Sequence, residues 1–83
     1  AAHQRGLRER FGRLTPRERD VMMRLAEGMS NREIAADLRI SPRTVEIYKA
    51  GVFEKMQIRT TAELVKLSIE LGGGMQRSSA SPA

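Results

Sequence analysis

The chain has 83 residues, no cysteine and a formal net charge of +5 at pH 7. Such a chain makes one small domain with a modest core, and the lack of cysteine excludes disulfides, zinc ribbons and thiol catalysis. No apolar run approaches the roughly 20 residues of a membrane span, and the first residues lack an apolar signal stretch, so we expect a cytoplasmic protein without membrane contact.

Most of the positive charge lies in the flanks of the chain. Residues 1–13 hold four arginines and one glutamate, and Arg77 lies near the C-terminus, whereas residues 14–71 are nearly neutral. The excess suggests a polyanionic partner, although a charged run is also typical of a solvated surface. Residues 1–13 are predicted to be a linker or a frayed helix end, and the Gly/Ser/Pro-rich residues 72–83 a disordered tail.

The first two of four predicted helices carry matching start signals. The first has Thr15 as its N-cap and Glu18 three residues later, and it ends at Gly28. The second begins with Ser30 and Glu33 at the same spacing. This pairing is the capping box, in which each side chain binds the backbone N–H of the other residue.

The third and fourth helices complete an all-α domain. The third begins at Ser41 and runs to about Met56, and the fourth begins at Thr60, with Glu63 completing a capping box, and stops at a run of three glycines. No stretch alternates with period two over the length of a strand. A four-residue connection, LRIS, joins the short second helix to the longer third one, which is typical of a helix-turn-helix. The predicted domain covers residues 14–71.

The third helix has an inward and an outward face. At about 100° per residue, a stripe of Val45, Tyr48, Val52 and Met56 is predicted to face the core. The outward face collects Arg43, Glu46, Ile47, Ala50 and Glu54. There, Glu46 can accept a hydrogen bond from a cytosine amino group, Ile47 can touch a thymine methyl group, and Ala50 allows close approach to the bases. The alternatives are a lone exposed isoleucine and a simple surface pair of Glu46 with Lys49.

The third helix also lacks the glutamate of the capping box. Its sequence SPRT places Thr44 where the other three helices have Glu. A glutamate there would repel a DNA phosphate, whereas a hydroxyl can cap the helix or donate to a phosphate oxygen. The alternative is that threonine is merely tolerated. The predicted DNA-backbone contacts are Ser41, Arg43, Thr44, Lys49 and Lys55.

The fourth helix carries two apolar stripes. One comprises Ala62, Val65 and Ile69, and the other comprises Leu64, Leu67 and Leu71. A terminal helix in so small a domain needs one stripe for docking, so we expect the leucine stripe to be a surface for self-association. Burial of that stripe in the core is the alternative. A dimer would match a two-fold operator with half-sites about one helical turn apart.

These features together resemble a known family. The chain is similar to the LuxR-type helix-turn-helix, the C-terminal effector domain of NarL/FixJ response regulators and quorum-sensing regulators, through the segment LTPRERDVMMRLAEGMSNREIAADLRISPRTVEIYKAGVFEKM. Its part ISPRTVEIYKAGVFEKM is most similar to the FixJ-like branch. The resemblance covers about Leu14 to Leu71.

The resemblance implies a four-helix DNA-binding domain that dimerises through its last helix, regulates transcription and contacts RNA polymerase. Such domains usually follow a receiver domain switched by aspartyl phosphorylation, so residues 1–13 would link to an upstream regulatory domain. By position, the base-reading places fall on Glu46, Ile47 and Ala50, in agreement with the outward face.

Two residues depart from the family pattern. Arg39 stands in the turn where the family commonly has glycine, and a positive φ there would cost about 1 kcal/mol. Tyr48 stands where the family often has histidine, and we expect it to pack inward.

Three other classes of function compete with this interpretation. Region four of sigma factors has similar helices, but its recognition helix usually lies near the chain end, whereas a capped fourth helix follows here. A helical protein-interaction module would use Ile47 and the leucine stripe instead. An enzyme is the least expected, because the single histidine is His3 in the flank and the acidic residues are scattered. We expect no catalytic residue, metal site or cofactor.

Overall fold

The computed structural model describes residues 2–71, with side chains from Arg5 onward, and contains five helices over that range. They are α1 (Ala2–Gly12), α2 (Pro16–Ala26), α3 (Asn31–Leu38), α4 (Pro42–Met56) and α5 (Thr61–Glu70). No strand occurs between residues 2 and 71, so the predicted all-α class is confirmed, and α2 to α5 are the four predicted helices. The tail predicted for residues 72–83 lies outside the described residues. None of the described helices is long and apolar enough to cross a membrane.

The three capping boxes predicted from the sequence are present in the structure. In α2, α3 and α5 the N-cap side chain accepts a hydrogen bond from the backbone N–H three residues on, and the glutamate there accepts one from the N-cap N–H. The pairs are Thr15 with Glu18, Ser30 with Glu33, and Thr60 with Glu63. These contacts satisfy N–H groups that have no partner within their own helix.

Three helix ends pass through the left-handed region of backbone space. Gly28 follows α2 with φ 90, as its role as a helix stop predicted. Arg39 and Gln57 end α3 and α4 with φ 61 and φ 60. The positive φ considered for Arg39 is therefore confirmed, in a conformation that costs residues other than glycine roughly 1–2 kcal/mol.

The core lies where α4 packs against both α2 and α3, with α5 closing it over α2. Its fully buried members come from all four of these helices: Val21, Met22, Ile34, Val45, Val52, Met56 and Leu64. Burying a side chain of this size stabilises the fold by about 1.5–3 kcal/mol. The inward stripe of α4 is thereby confirmed, and Tyr48 packs half-buried against the same core.

Residues 2–12 are more ordered than predicted. Instead of a linker or a frayed helix end, α1 is an eleven-residue helix, and Leu7 is only 1% exposed. Phe11 packs against the core, with the Arg19 guanidinium 4.7 Å from its ring centroid. The docked helix was not predicted because one leucine and one phenylalanine four residues apart gave too weak a periodic signal among the charges.

A hydrogen bond also ties α1 to the end of α4. The Arg10 Nη1 atom donates to the Met56 carbonyl oxygen at 3.1 Å. This carbonyl belongs to the last turn of α4, where no N–H of the same helix follows to bind it. The connection of α1 to an upstream regulatory domain stays a prediction.

The two stripes of α5 are assigned the opposite way from the prediction. Leu64 is fully buried, and Leu67 and Leu71 pack half-buried against the core. The outward stripe is the other one, with Ala62 exposed, Val65 half-buried and Ile69 64% exposed. Helix α5 packs on α2, and the leucine stripe is the one on the side that contacts the core. The predicted self-association surface is therefore wrong for Leu64, which the core buries completely.

Candidate nucleic-acid interface

Helices α3 and α4 form a helix-turn-helix. Helix α3 extends through Leu38, so the turn is one residue shorter than predicted and comprises Arg39, Ile40 and Ser41. The N–H groups of Arg39 and Ile40 both donate to the Ala35 carbonyl oxygen. Ile40 also packs against the core. These contacts fix the direction in which α4 leaves the turn.

The outward face of α4 is open to solvent along its length. All five of its predicted members are exposed: Arg43, Glu46, Ile47, Ala50 and Glu54. Ile47 is 59% exposed, one of only two large apolar side chains that are exposed among the described residues. The structure thus brings Glu46, Ile47 and Ala50 together on one accessible face, and their reading of bases stays a prediction.

The N-terminus of α4 differs from the other helix starts. Ser41 Oγ accepts a hydrogen bond from the Thr44 N–H at 3.0 Å, and the Ser41 and Thr44 hydroxyl oxygens lie 2.9 Å apart. The first turn contains no acidic residue. A hydroxyl pair therefore replaces the capping box, and the positive end of the helix dipole has no carboxylate beside it.

The two lysines of α4 occupy different environments. Lys49 is half-buried with its Nζ atom 5.6 Å from the Phe53 ring centroid, beside the outward face. Lys55 Nζ lies 2.8 Å from Glu18 Oε1 on α2. Nine residues at 100° each place Lys55 half a turn from Glu46. This pairing on the packed side of α4 argues against the predicted contact of Lys55 with the DNA backbone.

Glu18 joins α2 to α4, a role that its place in a capping box did not reveal. Only 8% exposed, its carboxylate accepts hydrogen bonds from the Thr15 N–H at 2.9 Å and from Lys55 at 2.8 Å. Burial raises the pKa of Glu18, but the Lys55 ammonium and the Thr15 N–H outweigh that effect and the pKa is lowered. Gly51 makes room for the carboxylate, since a Cβ atom there would overlap Glu18 Oε2. No local pattern in the sequence signals this contact, which spans 37 positions.

Arg24 also forms contacts inside the domain. It pairs with Asp37, and this ion pair joins α2 to α3. It also donates a hydrogen bond to the Asp20 carbonyl oxygen within α2. Within residues 2–71, no group of three or more His, Cys, Asp or Glu side chains is placed to hold a metal ion.

This arrangement of an exposed helix face on a helix-turn-helix defines a DNA-binding domain, and comparison with known proteins gives the family. The model of the family described as bacterial regulatory proteins, luxR family, matches residues 12–68. The chain therefore belongs to the LuxR family and is a DNA-binding domain of a transcriptional regulator.

The similar proteins include several transcriptional regulatory proteins. The transcriptional regulatory protein FixJ of Bradyrhizobium diazoefficiens is 49% identical over 63 residues, covering 76% of this chain and 31% of that protein. FixJ of Rhizobium meliloti is 41% identical over 68 residues, covering 82% and 33%. The transcriptional regulatory protein UhpA of Escherichia coli is 45% identical over 53 residues, covering 64% and 27%.

A solved structure agrees with these relatives. The crystal structure of full-length FixJ from B. japonicum superposes with a TM-score of 0.78 and 44% sequence identity, covering 87% of this chain and 36% of that one. The chain thus spans about a third of the length of the relatives it matches. Among the functions considered from the sequence, family membership selects transcriptional regulation.

Proposed function

We propose that this chain is the effector domain of a cytoplasmic two-component response regulator, and that it binds an inverted-repeat DNA operator as a dimer with α4 in the major groove. The observation that carries the proposal is the exposed face of Glu46, Ile47 and Ala50 on the second helix of a LuxR-family helix-turn-helix. The proposal extends to contact with RNA polymerase and control through an upstream receiver domain, as the resemblance of the sequence to NarL/FixJ response regulators implies.

Direct reading of bases is assigned to the centre of the outward face. The Glu46 carboxylate accepts a hydrogen bond from a cytosine amino group, and the Ile47 side chain contacts a thymine methyl group. Ala50 is one helical turn beyond Glu46 and its small side chain lets the helix lie deep in the groove. Each of these contacts depends on the base, so together they supply specificity rather than general affinity.

Positioning on the DNA backbone is assigned to the start of α4 and to its flank. The paired hydroxyls of Ser41 and Thr44 lie at the positive end of the helix dipole, where phosphate is attracted. Arg43 is exposed beside them. Lys49 lies further along the helix beside the outward face, with its Nζ atom 5.6 Å from the Phe53 ring centroid.

Dimerisation is assigned to the outward stripe of α5, in place of the leucine stripe. Ile69 and Ala62 are exposed, and half-buried Val65 lies between them. The same stripe on a second copy provides a self-complementary partner, as a two-fold dimer requires. Such a dimer places two copies of α4 on one side of a DNA duplex.

Selection of bound sequences from a random DNA pool tests this proposal. We expect an enriched inverted repeat whose half-sites lie about one helical turn, or 10–10.5 base pairs, apart. A single unpaired motif would contradict the dimer. Recovery of no motif, despite binding, would contradict the reading of bases by α4.

A further inference from the structure

The turn of the helix-turn-helix contains a strained arginine. Arg39 has φ 61 and ψ 45, a conformation that glycine adopts freely and other residues rarely do. Its N–H donates to the Ala35 carbonyl oxygen, a bond that glycine would make equally well. The side chain of Arg39 therefore contributes nothing to the turn that would offset the strain.

The Arg39 side chain is also unused inside the domain. It is exposed, and no hydrogen bond or ion pair reaches its guanidinium from residues 2–71. By contrast, Arg10, Arg24 and Lys55 each bind an acceptor on another helix. Backbone strain of this kind clusters at functional sites but also occurs at ordinary helix ends such as that of Gln57, from which Arg39 differs by its exposed positive charge.

The outward face of α4 needs cations from its surroundings. Its exposed carboxylates, Glu46 and Glu54, match the charges of Arg43 and Lys49 in number, while Lys55 is occupied by Glu18. The five members of the face carry one negative charge in sum, and Lys49 at its edge brings the total to zero. Affinity for DNA comes largely from cations that neutralise phosphates, so a neutral reading face must be supplemented by neighbouring residues.

We propose that Arg39 is a DNA-backbone contact that fixes the N-terminal end of α4 against a phosphate. It stands two residues before the N-cap Ser41, next to the end of α4 that enters the groove. Arginine suits this position because its planar guanidinium binds phosphate oxygens in pairs. The inference rests on the proposed function and adds a residue to the interface.

The substitution Arg39→Gly tests the inference because it moves stability and binding in opposite directions. Glycine relieves the left-handed strain, so the urea midpoint rises. Loss of one phosphate contact makes the plot of log affinity against log salt shallower by about 0.9, which at 0.1 M salt is a loss of about eightfold. The probe is a mixed-sequence DNA duplex of about 30 base pairs, since a backbone contact does not depend on sequence.

Two control variants separate a phosphate contact from other effects. Gln57→Gly relieves the same strain at the opposite end of α4 and keeps the charge, so it should raise the urea midpoint with an unchanged salt slope. Arg8→Gln removes one charge from the exposed side of α1, which packs at the far end of α4, and should also leave the slope unchanged.

The outcomes are distinct. An unchanged slope for Arg39→Gly, or an equal drop in slope for Gln57→Gly or Arg8→Gln, would overturn the role of Arg39. If the unsubstituted chain does not bind the duplex at all, the proposed DNA-binding function itself fails, and that result is seen before any variant is compared.

Discussion

At the scale of single residues, the side chains of α4 that are proposed to contact bases are distinct from those that stabilise the fold. Glu46 and Ile47 are exposed next to each other, and neither is needed for the core. Glu46→Ala and Ile47→Ala should each change the preference at one base pair by about 1–3 kcal/mol while the fold stays intact. A panel of operator variants with single base changes, compared by equilibrium binding, measures this. A uniform loss across the panel would argue against direct readout.

The two lysines of α4 should respond differently to salt. Lys49→Ala removes a phosphate contact at the edge of the face and should reduce the salt slope by about one unit. Lys55→Met keeps the aliphatic stem but removes the partner of buried Glu18, so the slope should stay the same and stability should fall by about 1–3 kcal/mol. Binding titrations from low to high salt, with urea unfolding of each variant, test both. A lower slope for Lys55→Met would return that residue to the interface.

The lowered pKa of Glu18 makes stability depend on pH in a defined direction. A carboxyl group whose pKa is lower in the folded than in the unfolded chain stabilises the fold above its ordinary pKa, and this contribution is lost as pH falls through the lowered value. Unfolding in urea from neutral to acidic pH should therefore show a loss of stability on the acidic side. Glu18→Gln, which retains a side-chain acceptor for Thr15, should be less stable at neutral pH and show a smaller acidic loss. An equal acidic loss in both proteins would assign the effect to other carboxyl groups.

At the scale of helices, α1 is part of the domain because of a few side chains. Leu7 is 1% exposed, so Leu7→Ala should reduce the free energy of unfolding by about 2–4 kcal/mol. The neighbouring Arg8→Ala, on the exposed side of the same helix, should change it by less than about 0.5 kcal/mol. Urea unfolding followed by circular dichroism compares the two variants. Equal, small effects would show that α1 is not docked in solution.

The helices differed in how far sequence could predict them. Capping boxes at Thr15, Ser30 and Thr60 are local signals, so the starts of α2, α3 and α5 were predicted correctly. The inward and outward faces of α4 also followed from helical periodicity. In contrast, the choice between two apolar stripes on α5 depends on which neighbour the helix meets, and periodicity contains no such information.

In the candidate interface, too, features set within one helix could be predicted from the sequence, and contacts between helices could not. The exposed group of Glu46, Ile47 and Ala50 lies on one helix, so its members could be placed together from spacing alone. The pair of Lys55 with Glu18 spans 37 positions in sequence. Such a contact is set by the crossing of α2 and α4, and without it Lys55 looked like any basic residue on a DNA-binding helix.

At the scale of the whole molecule, the outward stripe of α5 should control assembly on DNA. Ile69→Glu places a charge in the proposed dimer contact and, because Ile69 is 64% exposed, should leave the monomer folded. Binding to a full inverted repeat should weaken far more than binding to a half-site. Parallel titrations of the two duplexes provide the measurement.

A core variant is the appropriate comparison for Ile69→Glu. Leu64→Ala creates a cavity beneath α5 and should cost about 2–5 kcal/mol of folding free energy, with similar losses on the full repeat and the half-site. If Ile69→Glu also loses equally on both duplexes, the stripe is not the dimer contact.

The docking of α1 bears on where this domain can be cut. The family match begins at residue 12, within the last turn of α1. A recombinant fragment begun there would lack the leucine that fills the space beside α4 and the guanidinium that binds the Met56 carbonyl oxygen. The apolar surface that Leu7 covers would then be exposed to water, and the Met56 carbonyl oxygen would lose its hydrogen bond from Arg10. The unit to express, label or fuse therefore begins before Arg5, and a tag placed directly before Leu14 would disturb the very helix meant to meet DNA.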